Sequence, residues 1–304
     1  MGVPRRGARA WLGLLLAGGC GRGDLPAPVE HTFTIAVLAD PHLTAPSERD
    51  VRLAAAVDWI EEQREDRKIE LVVVVGDIGW EGGLESARDI LDSLSISYVP
   101  ILGDNEVAYG DEERFDEVFG PVYDELASRY PSFERGPVEV WDPNRERTVW
   151  LQNLAFEHQG VQILGLDWVS RAESGILTEL AELHDFDDGT IAWFESQLDG
   201  LRSQEHEHAS EDTLLFSHHP MHIPSFDLEE MARITGATGP LGDRVAASFG
   251  GHYHIDATDR VEEGGYDVFV TDATWDDENT VRLVEVHGNG TAFELVQELV
   301  DVPW

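Results

Sequence analysis

From Thr32 onward the chain alternates short runs that are apolar throughout with longer stretches whose apolar residues recur every three or four positions. The runs Thr34–Ala39 (TIAVLA), Leu71–Val75 (LVVVV), Tyr98–Leu102, Thr213–Ser217 and Val245–Phe249 are too short for helices and show no alternation, which predicts strands buried on both faces. Helical periodicity marks Ser47–Arg67, Leu84–Leu94, Asp111–Tyr130, Thr190–Leu201 and a stretch near Phe226–Thr235. Thr148–Glu157 and Val161–Trp168 predict two strands around the turn His158-Gln159-Gly160, while Pro131–Asn144 reads as irregular. Tyr266–Thr271, Val281–His287 and Ala292–Leu299 close the chain, the last two joined at Gly288-Asn289-Gly290. Strands apolar on both sides and separated by helices imply an α/β protein with covered sheets. No repeat or linker interrupts residues 32–304, so one domain is expected there.

The N-terminus breaks this pattern. Residues 1–19 read as an export signal, with Arg5, Arg6 and Arg9 as a basic start, Trp11–Ala17 as an apolar run and Gly18-Gly19 as a small-residue end. The run is too short to anchor the chain by spanning a bilayer. LAGGC, ending at Cys20, resembles a bacterial lipoprotein signal, in which that cysteine is lipidated; the alternative is an ordinary cleaved signal with an incidental cysteine. Residues 20–31 then read as a tether. The expectation is an exported protein held by lipid in the bacterial cell envelope, periplasm or outer membrane. Cys20 is the single cysteine, which excludes an intramolecular disulfide.

Composition narrows the functional classes. With 42% hydrophobic residues the 304-residue chain can bury a sizeable core. A formal charge of -39 repels polyanions and argues against a nucleic-acid-binding surface. Lys68 is the only lysine, a bias that suits either a salty medium or a GC-rich genome.

The chemistry gathers at strand ends. Five strands end in metal-binding groups: Asp40-Pro41-His42, Gly76-Asp77, Gly103-Asp104-Asn105-Glu106, Ser217-His218-His219 and Gly251-His252-Tyr253-His254. Ligands of open α/β sheets collect beyond the carboxyl ends of strands. Carboxylates and imidazoles at five such ends are enough for two metal shells, and these donors suit Mn, Fe or Zn. On an extended segment residues i and i+2 share a side, so Asp40 with His42, and His252 with His254, can face one metal or an adjacent pair. A glycine before Asp77, Asp104 and His252 allows a close backbone approach. Any single fragment is an ordinary loop carboxylate or hydrogen-bonded histidine; five in this order carry the reading.

The order D-x-H, G-D, G-N-H-[DE], H, G-H-x-H resembles the calcineurin-like metallophosphoesterases over essentially all of residues 32–304. Gly165-Leu166-Asp167 and the helix AWFESQL at Ala192–Leu198 are similar to that family too. The resemblance implies a four-layer αββα sandwich of two mixed sheets flanked by helices, with the metal site at strand C-terminal ends. It implies two divalent or mixed-valence ions (Mn, Fe or Zn). Asp40, His42 and His254 would hold one, Asp104, His218 and His252 the other, and Asp77 would bridge them. The implied reaction is hydrolysis of a phosphorylated small molecule, monoester or diester, by a bridging hydroxide.

Three departures from the family pattern shape the expectation. Asp104 stands where the family has an asparagine ligand, which adds a negative charge. With two divalent ions, a hydroxide and the carboxylates of Asp40, Asp77 and Asp104 the centre is neutral, so it should hold metal more firmly and attract phosphate less. A trivalent iron would restore the charge. Asn105 replaces the histidine that assists the phosphate and leaving group; it can donate hydrogen bonds but not transfer a proton at neutral pH. A register slip would instead make Asn105 the ligand and put Asp104 behind it. His219 or His222 could substitute as the acid, though His219 also reads as a site-edge group and His222 as a rim residue. The alternative function is an exported metal-binding lipoprotein with a degenerate, poorly active site. Finally, Trp80 occupies the place where purple acid phosphatases carry a tyrosine ligand. Away from the site, His206 and His208 read as a solvated acidic loop, as do Asp272, Asp276, Asp277 and Glu278. Trp59, Trp150 and Trp193 read as core.

Overall fold

The computed structural model describes residues 30–44, 47–172, 180–203, 213–275, 279–288 and 293–304. Cys20, the export signal, His206, His208, residues 276–278 and the turn at Asn289-Gly290 lie outside these residues. Among the described residues no helix is long and apolar enough to cross a membrane.

The predicted elements form with small boundary shifts. β1 (Glu30–Leu38), β2 (Ile69–Val75) and β3 (Ser97–Ile101) run parallel, connected by α1 (Glu48–Arg67) and α2 (Gly83–Leu91). α1 begins with a capping box: the Ser47 hydroxyl accepts from the Arg49 N–H, and the Asp50 carboxylate accepts from the Ser47 N–H. The chain continues with α3 (Asp104–Ala108), α4 (Glu112–Arg129), β4 (Glu134–Arg135), β5 (Glu139–Asp142), β6 (Arg147–Trp150), β7 (Leu154–His158) and β8 (Val161–Leu166). α5 (Thr190–Ser203), β9 (Thr213–Ser217), α6 (Leu228–Thr238), β10 (Val245–Gly250), β11 (Ala257–Val261), β12 (Tyr266–Val270), β13 (Thr280–Gly288) and β14 (Phe293–Asp301) complete it.

Two large mixed sheets result, one of five strands in the order β14-β13-β1-β2-β3 and one of seven in the order β11-β12-β10-β9-β8-β7-β4. β9 shows why its run carries no polar face. Leu214 and Phe216 join Val73, Val75 and Phe249 in the core between the sheets, while Leu215 joins Phe194 of α5 and Ile234 of α6 in a second core on the outer face. α1, α2 and α4 cover the first sheet from the other side, contributing Ile60, Ala87 and Phe119. The layering is the expected helix, sheet, sheet, helix sandwich.

Three expectations from periodicity are corrected. Pro131–Asn144 is not irregular, since it contains β4 and β5. The single strand expected at Thr148–Glu157 is two, because β6 pairs with β5 in its own two-stranded sheet while β7 pairs with β8. Gln152 and Asn153 part them, fully buried and hydrogen-bonded to Asp167. The exposed strand β11, with little apolar pattern of its own, was not foreseen; its antiparallel ladder with β12 holds it. Trp193 is core, as expected, whereas Trp59 and Trp150 are half-buried.

Candidate metal centre

The carboxyl ends of β1, β2 and β3 meet those of β9 and β10 across the sandwich, and every residue expected as a ligand lies at this junction. Three groups emerge whose potential ligand atoms are all within 4.8 Å of one another: Asp40, His42 and His254; Asp104, His218 and His252; and Asp40, Asp77 and His218. Asp77 sits centrally, with Oδ2 3.1 Å from His42 Nε2 and Oδ1 3.5 Å from His218 Nε2. Asp104 Oδ1 lies 2.6 Å from His218 Nε2 and 3.4 Å from His252 Nδ1. The His254 Nε2 to Asp40 Oδ1 distance is 3.8 Å.

The backbone route to this convergence differs from the extended one expected from sequence. Asp40 (φ 49°), His42 (φ 55°), Asp77 (φ 49°), His252 (φ 68°) and His254 (φ 51°) all adopt the left-handed conformation. In non-glycine residues it costs on the order of 1–3 kcal/mol each and persists where the surroundings impose it, typically at functional sites. Because these residues lie past the last ladder bonds of β1, β2 and β10, side-chain alternation no longer governs them. The two histidines of Gly251-His252-Tyr253-His254 accordingly enter different groups. The preceding glycines are required by contact: a Cβ on Gly76 would meet His218 Nδ1 at 2.5 Å. A Cβ on Gly103 would meet the Asp77 nitrogen at 2.0 Å, and one on Gly251 would meet Asp40 Oδ2 at 2.4 Å.

The electrostatics suit a cation. Asp40, Asp77 and Asp104 are 0%, 2% and 6% exposed, and so many buried carboxylates facing each other are costly without positive charge between them. Burial, and then the Asp77 and Asp104 charges, hold the Asp40 carboxyl well above its usual range, although His218 pulls it down. Burial also pushes Asp104 up, but hydrogen bonds from His218 and His252 outweigh it and hold Asp104 below the usual range. His218, disfavoured as a cation by burial, is raised well above the ordinary imidazole value by Asp77, Asp104 and Asp40. His42 Nε2 is buried and has no hydrogen-bond partner, an open donor atom aimed at the carboxylates. Carboxylates, imidazoles and an orphaned nitrogen together fit first-row divalent ions.

The segment Gly103-Asp104-Asn105-Glu106 resolves into the start of α3, a helix not expected from sequence. Asp104 enters the group with His218 and His252, so the register slip is not adopted here. Asn105 turns to Asp77 instead, donating its backbone N–H to Oδ1 at 2.9 Å and its side-chain amide to Oδ2. Glu106 is fully buried and accepts from Gly79 N and Gly103 N, each at 2.8 Å, tying the β2 and β3 loops together. Burial and the Asp77 charge push its carboxyl up to about 8. His219 is fully buried, its ring 4.4 Å from that of His252. His222 lies further out, with Nδ1 3.2 Å from Asp259 Oδ2 and Nε2 without a hydrogen-bond partner; it lines a groove of about 390 Å³ with Ile223, Leu228 and Met231. Asp167, which ends the Gly165-Leu166-Asp167 run, salt-bridges the fully buried Arg171.

Sequence reasoning missed Trp275 and Arg49. Trp275 stacks on His42 with ring centroids 5.3 Å apart, and Arg49 Nη1 donates to the His42 carbonyl at 2.7 Å. An aromatic beside an acidic run carried no signal, because what places it is a contact between distant segments.

Fold and site together define an α/β sandwich with clusters of acids and imidazoles able to hold metal at its sheet junction. Residues 33–256 match the family model described as calcineurin-like phosphoesterase, and the chain belongs to that family. No curated protein sequence matches it. Solved structures similar to it include GAP50, the anchor in the inner membrane complex of Plasmodium, at 9% identity and TM-score 0.46, covering 90% of each chain. Another is the purple acid phosphatase PPD1 from yellow lupin (Lupinus luteus) seeds, at 12% identity and TM-score 0.44, covering 91% of this chain and 55% of that one. A third is an archaeal phosphodiesterase, at 12% identity and TM-score 0.37, covering 88% of this chain and all of that one.

Proposed function

We propose that the protein hydrolyses phosphate esters of small molecules at a dinuclear metal centre. The observation that carries this reading is the pair of ligand groups, Asp40 with His42 and His254, and Asp104 with His218 and His252, joined through Asp77. Two divalent ions, when bound, bring the pKa of a shared water towards neutrality and offset charge developing on the phosphoryl oxygens. The chain's own part is positional: β1 and β10 supply one group, β3, β9 and β10 the other, and Asn105 steadies Asp77. Since Asn105 is committed to Asp77 and cannot transfer a proton, the proton for the leaving group comes from another residue. His222 is the better placed of the two candidates, because it is only partly buried and Asp259 lies against its ring, whereas His219 is fully buried.

The test is hydrolysis of a nitrophenyl phosphomonoester and a bis-nitrophenyl phosphodiester by the metal-stripped protein resupplied with Mn, Fe, Zn or nothing. Metal-dependent turnover supports the reading and its ester preference assigns the class. Two bound metals without turnover would favour the binding-protein alternative, which draws its support from the engagement of Asn105 by Asp77.

Two further results are expected. Trp80, which packs edge-on against His42, has no oxygen to ligate iron, so the iron-loaded protein should lack a tyrosinate charge-transfer band. A strong visible band would contradict the assignment. Secondly, Asp40 and His218 are raised and so retain protons without metal, and ligands must lose protons to coordinate. Metal affinity should therefore rise with pH, with net proton release at pH 7. Calorimetric titration in buffers of differing ionisation enthalpy measures that release, and a value of zero would contradict the ligand set.

As for location, we infer export and lipid attachment through Cys20 from the sequence of residues 1–20. Metabolic labelling with a palmitate analogue, lost on Cys20→Ser, checks it; an unlabelled, freely soluble product would refute it.

A further inference from the structure

The two ligand groups are braced differently. In the group of Asp104, His218 and His252, hydrogen bonding orients the His218 ring, with Nδ1 3.0 Å from the Val75 carbonyl oxygen. In the group of Asp40, His42 and His254, indoles pack on the imidazoles. The chain crosses from β12 in the second sheet to β13 in the first, and on the way Thr274 docks beside Asp40, its backbone N–H donating to the Ala39 carbonyl at 2.9 Å. At the far end of the crossover the Asn279 amide donates to the Arg52 carbonyl of α1 at 3.0 Å.

This docking presents Trp275 to both imidazoles of one group. Its indole stacks on His42 at 5.3 Å and 26°, and meets His254 edge to face at 5.6 Å and 89°. Arg49, in the first turn of α1, joins the arrangement twice, with Cζ 4.5 Å from the indole centroid and Nη1 bonded to the His42 carbonyl oxygen. Trp80 packs against the same His42 ring at 5.2 Å and 72°. The His42 imidazole is thus gripped between two indoles, and its backbone is fixed by a guanidinium.

We propose that Trp275 and Arg49 are positioning residues that set the metal affinity of the Asp40, His42 and His254 position independently of the other. Neither offers a ligand atom to the metal. Each acts by holding imidazoles that sit on left-handed backbone past the ends of β1 and β10. The proposal rests on the reading that both groups hold metal. It also assigns the inter-sheet crossover a role in loading the centre.

The experiment is titration of the metal-stripped full chain with Mn²⁺, followed by calorimetry and by electron paramagnetic resonance, which separates a spin-coupled manganese pair from an isolated ion. The unsubstituted protein should bind two ions and show the coupled signal. Trp275→Leu should keep one position at unchanged affinity and weaken the other about 10–100-fold, the usual cost of losing a group that orients a ligand. Its spectrum at limiting Mn²⁺ should be that of an isolated ion. Trp275→Phe, which restores a stacking ring, should recover most of the coupled signal, and Arg49→Gln should weaken the same single position. These two milder variants decide the matter should Trp275→Leu fail to fold. Equal weakening of both positions, or two unchanged positions in the variants, overturns the proposal. Fewer than two ions in the unsubstituted protein overturns the dinuclear reading itself, and the proposal with it.

Discussion

Asp77→Asn should abolish metal-dependent turnover while leaving the fold intact. The residue is 2% exposed and sends one oxygen towards His42 and the other towards His218, so it addresses both halves of the centre. The amide is nearly isosteric, so packing should survive. It removes one negative charge and turns an acceptor into a donor facing either an imidazole or the Asn105 amide. Loss of an orienting group typically costs about 10–100-fold in metal affinity or activity, and a bridging ligand should cost more than that upper figure. The measurement is initial rate on both nitrophenyl esters at saturating metal, with thermal melting as the control for folding. Turnover within a few-fold of the unsubstituted protein would remove Asp77 from the centre. Loss of metal or stability from a protein that never turned over would point to the metal-binding alternative.

The second large effect is a gain. Asp104→Asn with Asn105→His restores the family's usual residues at the start of α3. The asparagine keeps an oxygen near His218 and His252, and its neutrality returns a net positive charge to the centre for an incoming phosphate. The histidine supplies an acid where the native side chain is spent on Asp77. General acid assistance is worth roughly 10²–10⁴-fold, and should appear on alkyl phosphates, whose leaving groups need a proton, more than on nitrophenyl esters. His222→Gln should act oppositely, depressing alkyl ester turnover in the native background and mattering less in the double variant. If alkyl turnover does not rise in the double variant, the electrostatic and proton-transfer account of Asp104 and Asn105 is wrong.

Much of the framework was legible because burial on two faces leaves a strong one-dimensional trace. LVVVV at residues 71–75 reads as a strand with apolar material on each side, and the helical periodicity from Ser47 marks the start of α1 within one residue. The segment from Pro131 to Glu157 was misread because its strands are short and partly exposed, and because Gln152 and Asn153 interrupt the chain with buried polar groups whose partners lie elsewhere. Burial of an amide at such a position follows from Asp167 and Thr190, not from neighbours in sequence.

The sequence alone determined the fully buried strands, the long amphipathic helices and the residue types at the strand ends, since these follow from local periodicity and from chemistry written in single side chains. Tertiary structure decided which of those side chains meet. His218 reaches Asp104 across 114 positions and the His252 N–H reaches Asp40 across 212, so no local pattern records either contact. It also turned five of the seven ligand candidates into the left-handed region and divided His252 from His254 between two groups. It spent Asn105 on Asp77 and set Trp275 against two imidazoles. These outcomes depend on how two sheets close over one another, which is fixed by the summed packing of the whole core.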